Sequence, residues 1–347
     1  MPPASLQSRL ARRILADGPI PVETFMGEAN AHYYAARDPL GRGGDFITAP
    51  EVSQMFGELI GACLADLWVR AGRPTAHYGE LGPGRGTLAA DALRAMRAAG
   101  LQPPVHFVET SPLLAAMQRE RVPQAARHEA IATLPTDAPL LIVANEFLDA
   151  LPIRQFLRTD AGWRERMVAW SGSGFVPVPG SAPADDAIPP SLRDAPLGSI
   201  VETAPAALAL ITETAQRLKR QGGAAIFIDY GHDASAPGDT LQAVSGHTYA
   251  EPFADPGGRD LTAHVDFAAV GEAARAAGLQ VFGAAEQGAW LQALGIGARA
   301  EALARAAPAR AAEIAAAHAR LTRREQMGTL FKVLAIVAPG WPQPAGF

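Results

Sequence analysis

The chain has 347 residues, 48% of them hydrophobic, enough for one large domain with an appendage or for two modest ones. Its formal net charge of −5 argues against nucleic acid as the main partner, and its one cysteine, Cys63, excludes an internal disulfide and suits a reducing compartment. No apolar run approaches the ~18 residues of a membrane span, and the eight histidines show no paired spacing of the kind a zinc site uses, so no metal is expected.

The first predicted element is a helix over residues 5–16, with Leu6, Leu10, Ile14 and Leu15 as an apolar stripe and Asp17-Gly-Pro19 as its stop. It carries Arg9, Arg12 and Arg13 and no acid, which a mitochondrial presequence would also show. Against the presequence stands the amphipathic stripe, and a bacterial cytoplasmic protein is expected, with the mitochondrial matrix as the alternative. A glycine-flanked loop, residues 41–54, precedes a helix over 53–69. Asp45, Phe46 and Thr48 in that loop have no evident packing role and are expected to fold over a ligand or its channel. Residues 1–70 therefore read as a mainly helical cap, and residues 71–347 as the core.

The core opens on a strand at residues 76–81, weak in β-branched residues and placed by motif spacing alone. After it comes Glu80-Leu-Gly-Pro-Gly-Arg-Gly-Thr87, then a helix over 88–99 closed by Gly100. Closely spaced glycines allow a sharp turn and close approach of a ligand, and the helix behind them offers unpaired N–H groups. A nucleotide-triphosphate loop would need a Lys-Ser/Thr that is missing here. A dinucleotide turn fits poorly, because the third glycine comes one residue early. The pattern resembles the first motif of class I S-adenosylmethionine-dependent methyltransferases, and a purely structural turn is the bland alternative. The resemblance implies that Glu80 lies near the cationic end of the cofactor, with Gly82, Pro83, Gly84, Gly86 and Thr87 around its amino-acid part.

A short strand at 104–108 leads to Glu109 and Thr110, where a carboxylate could receive a ribose diol; this suits NAD and S-adenosylmethionine equally. A helix over 112–121 follows. The apolar strand at 139–144 ends in Asn145-Glu-Phe-Leu-Asp-Ala-Leu-Pro152, and the strand at 224–228 ends in Asp229-Tyr-Gly-His232. In doubly wound sheets ligands bind beyond such carboxyl ends, so clustered polar groups there mark a site. Between the two strands, residues 153–200 break the alternation of strands and helices and read as an inserted β-rich excursion, with 176–196 as turns and loop. A helix over 205–221 precedes the strand at 224–228. Beyond it lie a long loop at 233–259, a helix at 266–277, a strand at 279–284, an alanine-rich surface helix pair interrupted by Pro308, and a last strand at 330–337.

These segments together resemble the MidA-type methyltransferases, a family that includes the mitochondrial factor needed for assembly of respiratory complex I. The resemblance rests on Gly44 to Gln54, Phe56-Gly-Glu58, Glu80 to Leu88, Asn145 to Pro152, Asp229-Tyr-Gly231, Asp260 to Phe267 and Met327 to Val333. His32 and Ala49 depart from it, standing where glycine and serine are common. It implies a Rossmann-like α/β fold of seven strands with the last antiparallel, S-adenosyl-L-methionine as cofactor, and an arginine of a protein, a respiratory-complex subunit or its bacterial counterpart, as methyl acceptor. A guanidinium keeps its charge at neutral pH, so a gripping pair of carboxylates is required, and Glu146 and Asp149 are the candidates. Tyr230 and Phe147 would shape the slot and face the sulfonium, and Asn145 would join the cofactor site. Two other readings stay open: a cofactor-binding assembly factor whose methylation is slow or lost, and methylation of a small molecule.

Overall fold

Uninterrupted apolar runs set the centre of the main sheet. In the computed structural model, which describes residues 5–36, 47–245 and 248–347, the strands of this sheet are β1 His77–Leu81, β2 Val105–Val108, β3 Ala126–His128, β4 Leu140–Asn145, β5 Gly223–His232, β6 Gln280–Glu286 and β7 Phe331–Val337. Their order is β3-β2-β1-β4-β5-β7-β6, with β7 antiparallel to both neighbours and β1 to β5 parallel. The winding reverses between β1 and β4, where Glu80 pairs with Val143. Leu140, Leu141, Ile142 and Val143 are fully buried, each contributing about 1.5–3 kcal/mol. That exceeds the strand preference missing from the neighbouring His77-Tyr-Gly-Glu-Leu81, so β1 is held by its two flanking strands.

Helices cover both faces, as a parallel sheet requires. On one side lie α3 Gln54–Arg70 and α4 Thr87–Ala98; on the other, α6 Pro205–Gln221 and α7 Phe267–Ala276. The N-terminal helices α1 Leu6–Asp17 and α2 Val22–Ala36 do not pack there. They bury Leu6, Leu10, Ile14 and Phe25 against Val168, Phe175 and Leu261 of the inserted segment and its neighbour; Leu15 faces solvent. The helix between β2 and β3, α5, spans Pro112–Arg121.

Two loop expectations are corrected. Residues 176–196 are not all loop, since Phe175–Pro183 forms a strand on Gly162–Trp170. Its prolines are tolerated because this strand has a partner on one side only. The 233–259 stretch contains Gln242–Ser245 and Thr248–Ala250, which build a three-stranded antiparallel sheet with Asp260–Thr262. These strands are short and carry no apolar run to announce them. The strand expected at 224–228 continues to His232, where Gly231 pairs with Val265 and His232 with Asp266. Neighbouring strands also bring together the side chains of histidines far apart in the chain: His77 to His106 at 3.1 Å and His106 to His128 at 3.0 Å, with Asp137 on His77 at 3.0 Å. Burial and the flanking imidazoles push His106 down to about 4.

The approach of α3 to α4 depends on two glycines one turn apart. A Cβ on Gly57 would lie 2.7 Å from the Asp91 Cβ, and one on Gly61 would lie 2.3 Å from the Ala92 carbonyl oxygen and 2.6 Å from its Cα. Backbone cannot swing aside as a side-chain end can. Gly61→Ala is expected to lower the unfolding free energy by about 1–3 kcal/mol, read from urea denaturation; an unchanged midpoint and slope would contradict this packing.

Candidate active site

At the end of β1 the chain turns through Gly82, Gly84 and Gly86, with φ of +61°, +53° and +76°. All three are in the left-handed region, which explains glycine at alternate positions. A Cβ on Gly82 would also sit 2.5 Å from the Phe147 ring, so this glycine lets the strand-end loop of β4 close against the turn. Gly86 is the N-cap of α4. Thr87 then donates its hydroxyl to Glu51, itself within 4 Å of Arg85 and Arg121. That ion cluster ties α4 to the single helical turn Ala49–Val52.

A cavity of about 460 Å³ opens above this turn. Of the residues expected from the sequence, Glu80, Gly82, Pro83, Gly84, Thr87, Glu109, Thr110, Asn145, Glu146, Phe147 and Thr48 line it. Gly86 supports it from below as a helix cap. Asp149 and Tyr230 are not among the lining residues: Tyr230 packs edge-on against His264 and Phe331, with its hydroxyl toward Asp149 and Thr262. Asp45 and Phe46 lie outside the described residues. Sequence reasoning passed over Asn30, Tyr34, Glu51 and Gln118. The available signal was the spacing of Asn30 and Tyr34, i and i+4 on one helix that also carries Glu23, Glu28 and His32.

The acids around the cavity are held in different ways. Glu80 is buried, accepts a 2.6 Å hydrogen bond from the Tyr78 hydroxyl, and is raised by burial to about 8. Glu109 accepts from the Ser111 N–H at 2.7 Å and from the Gln118 amide at 3.1 Å; burial raises it, and these donors oppose the rise. Gln118 also donates to the Gly84 carbonyl at 2.8 Å, joining the glycine turn to the Glu109 loop.

After β4 the backbone leaves the sheet in a tight loop. The Asp229 carboxylate, on the neighbouring β5, accepts from the N–H groups of Phe147, Leu148 and Asp149 at 3.1, 2.9 and 3.2 Å, and from that of Tyr230 at 3.0 Å. The Asp229 carboxylate thus satisfies the backbone donors of this turn from the neighbouring strand. Within this loop Glu146 has φ of +51°, a left-handed conformation in a residue with a Cβ, which costs about 1–2 kcal/mol. Its carboxylate accepts from the Ala49 N–H at 3.0 Å and the Asn145 amide at 3.1 Å. Burial raises it to about 7, with Asp149 adding to the rise and the Ala49 bond opposing it. Asp149 is raised by burial to about 6, and its Oδ1 has no hydrogen-bond partner; the buried Oδ1 of Asn145 is likewise unsatisfied. Burial first, then Asp149 and Glu146, raise Asp229 as well, against its backbone donors.

This donor set fits a ligand with a cationic end and a vicinal diol. Buried acids held above their usual range gain from a neighbouring cation, Glu109 retains lone pairs on both oxygens for hydroxyl donors, and the orphaned Asn145 oxygen calls for an N–H or O–H.

The chain is similar to known proteins over most of its length. The family profile described as S-adenosyl-L-methionine-dependent methyltransferase matches residues 59–285. The chain is 36% identical over 380 residues to "Protein arginine methyltransferase NDUFAF7 homolog, mitochondrial" of Drosophila melanogaster, covering 96% of this chain and 84% of that one. It is 34% identical over 368 residues to the Mus musculus "Protein arginine methyltransferase NDUFAF7, mitochondrial", covering 94% and 83%. Among solved structures, a COG1565 superfamily member from Burkholderia thailandensis bound to S-adenosyl-homocysteine superimposes with a TM-score of 0.88, at 31% identity over 98% of this chain and 93% of that one.

Gly82→Ala tests the turn. The added Cβ strains the left-handed backbone and displaces Phe147, and together these are expected to weaken S-adenosylhomocysteine binding at least about tenfold, or ~1.4 kcal/mol. Calorimetric affinity within twofold of the parent would contradict that role.

Proposed function

The chain belongs to the S-adenosyl-L-methionine-dependent methyltransferase family, and on that premise we propose that it methylates an arginine side chain of a protein. S-adenosyl-L-methionine supplies the electrophilic methyl carbon. Glu80, the glycine turn, Glu109, Thr110 and Asn145 are the residues that would hold it. The observation that carries the acceptor assignment is the placement of Glu146. Its carboxylate lines the cavity beside the glycine turn, at the point where the winding reverses, and keeps a strained backbone conformation there. The names of the two relatives support arginine as the acceptor.

In this reading Glu146 receives the guanidinium through charge-assisted hydrogen bonds and localises its electron density on one nitrogen. An N–CH₃ bond forms as the sulfur–methyl bond breaks, and one proton leaves that nitrogen for the carboxylate. Asp149, behind Glu146, helps to hold the latter's charge state and does not touch the acceptor. Phe147 fixes the width of the slot against Gly82. The acceptor protein we assign is a respiratory-complex subunit or its bacterial counterpart. The compartment is the bacterial cytoplasm, with the mitochondrial matrix, carried by the relatives' names, as the alternative; among the described residues no helix is long and apolar enough to cross a membrane.

Incubation with methyl-labelled S-adenosylmethionine and cell extract, followed by mass spectrometry, tests the proposal directly. Label on arginine of one polypeptide supports it. Tight cofactor binding with no incorporation would favour an assembly factor, and label in a metabolite would favour a small-molecule acceptor. The pH dependence adds a sign. Glu146 is raised to about 7, so it is protonated below that pH and ionised above it, and a cationic acceptor needs the ionised form. The value of kcat/KM should therefore rise through pH about 7 and level off above. In Glu146→Gln that step should vanish and kcat/KM should fall about 100-fold, roughly 3 kcal/mol; a Gln variant that keeps both rate and profile would remove Glu146 from the mechanism.

A further inference from the structure

We infer that Tyr34, carried on α2 and hydrogen-bonded to the buried Asp260, is a second binding residue for the acceptor's cationic nitrogen, working with Glu146 in the same cavity. This rests on the arginine reading above and adds to it the residue that selects a cationic N–H donor.

Placement comes first. Asn30, Ala31, Tyr34 and Ala35 lie on one face of α2 and line the cavity, as i, i+1, i+4 and i+5 positions do. That face is held rigidly. The Asn30 amide donates to the carbonyls of Ala150 at 2.9 Å and Leu261 at 2.7 Å, and its oxygen accepts from the Leu261 N–H at 3.1 Å. One turn later the Ser111 hydroxyl donates to the Tyr34 carbonyl at 2.9 Å. The helix end is thereby tied to the Glu109 loop on one side and to the Glu146–Ala150 loop on the other.

Chemistry comes second. A phenol has one proton and two lone pairs. The Tyr34 hydroxyl is directed to Asp260, a buried carboxylate on the Asp260–Thr262 strand, and burial together with Asp260 and Asp149 keeps the phenol protonated. With its proton given to Asp260, the hydroxyl oxygen can only accept, and a charged acceptor behind it makes that oxygen more electron-rich. An incoming N–H of a cation is the complementary partner. The charged groups lining the cavity are Glu51, Glu80, Glu109, Glu146 and Arg85, with Asp149 and Asp260 behind Tyr34. Glu80 and Glu109 are given to the cofactor and Glu51 to Arg85 and Arg121, which leaves Glu146, with Asp149 and Asp260 near Tyr34, as the acidic surround that favours a guanidinium over a carboxylate or phosphate acceptor. Asp149 acts electrostatically on both Tyr34 and Glu146, which places the two proposed anchors around one acidic centre.

Tyr34→Phe keeps the ring and its packing and removes only the oxygen. Initial rates of labelled methyl transfer would be measured over a dilution series of cell extract, which gives an apparent KM for the acceptor, and separately over S-adenosylmethionine concentration. The expected result is an acceptor KM raised roughly 10-fold or more, with the S-adenosylmethionine KM, the S-adenosylhomocysteine affinity and the melting temperature unchanged. Asp260→Asn, which keeps the shape and removes the charge, should shift the acceptor KM in the same direction by less. An unchanged acceptor KM in Tyr34→Phe, or a change confined to the S-adenosylmethionine KM, would overturn the inference while leaving arginine methylation standing. If the parent protein labels no arginine at all, the reading under Proposed function fails, and the role of Tyr34 fails with it.

Discussion

One carboxylate organises the strand ends. Where β4 stops, the N–H groups of Phe147, Leu148 and Asp149 lose the sheet partners that a longer strand would supply, and they do so in the interior. An unpaired buried donor costs about 1–3 kcal/mol, so three together would forbid the loop. Asp229, 1% exposed, accepts all three from the adjacent strand and takes the Tyr230 N–H as well. With the loop so closed, Glu146 is held in a left-handed conformation at the cavity wall and Phe147 is laid on Gly82. The glycine turn and the acidic loop are thus two halves of one packed unit, and neither keeps its shape without the other.

The same arrangement leaves the empty site electrostatically unsatisfied. Burial raises Glu146, Asp149 and Asp229, and Asp149 adds to the rise of Glu146 while both add to that of Asp229. Like charges held together in low-dielectric surroundings lower stability, and they are kept where function gains from them. A cation entering the cavity relieves that repulsion and draws the carboxylates toward their ionised forms, with release of protons. Both the sulfonium cofactor of this family and a guanidinium acceptor are cations, so one acidic surround serves both. Arg85 is already engaged by the Glu51 cluster at the rim, which keeps a fixed positive charge from occupying the acidic loop.

Much of this was legible in the residues. Helices over 112–121 and 205–221 were bounded correctly because Pro112 and Pro205 sit at first helical positions and charged or glycine stops follow. The glycine turn, Glu109 and the Asn145-Glu146 strand end came from spacing in a doubly wound sheet, and all but Gly86 of the turn line the cavity. What escaped depends on contacts between distant segments. Asn30 and Tyr34 become site residues only when α2 docks against loops more than a hundred residues away. Asp229 was visible as a polar strand end, but hydrogen bonds from a carboxylate to another segment's backbone leave no pattern in sequence. Phe175–Pro183 was missed as a strand because its prolines argue against a ladder, and only an edge position excuses them. β3, three residues long with two of them exposed, offers no periodicity at all.

The Asp229 carboxylate holds the Glu146 loop in its working shape. The most direct measurement is the single-turnover rate of methyl transfer by Asp229→Asn, taken with its melting temperature and its S-adenosylhomocysteine affinity. An amide keeps one acceptor oxygen but turns N–H groups toward donors that need an acceptor. The expected result is a folded protein whose transfer rate falls at least about tenfold, or ~1.4 kcal/mol, with weaker nucleoside binding. A folded Asp229→Asn protein with unchanged rate and affinity would contradict it.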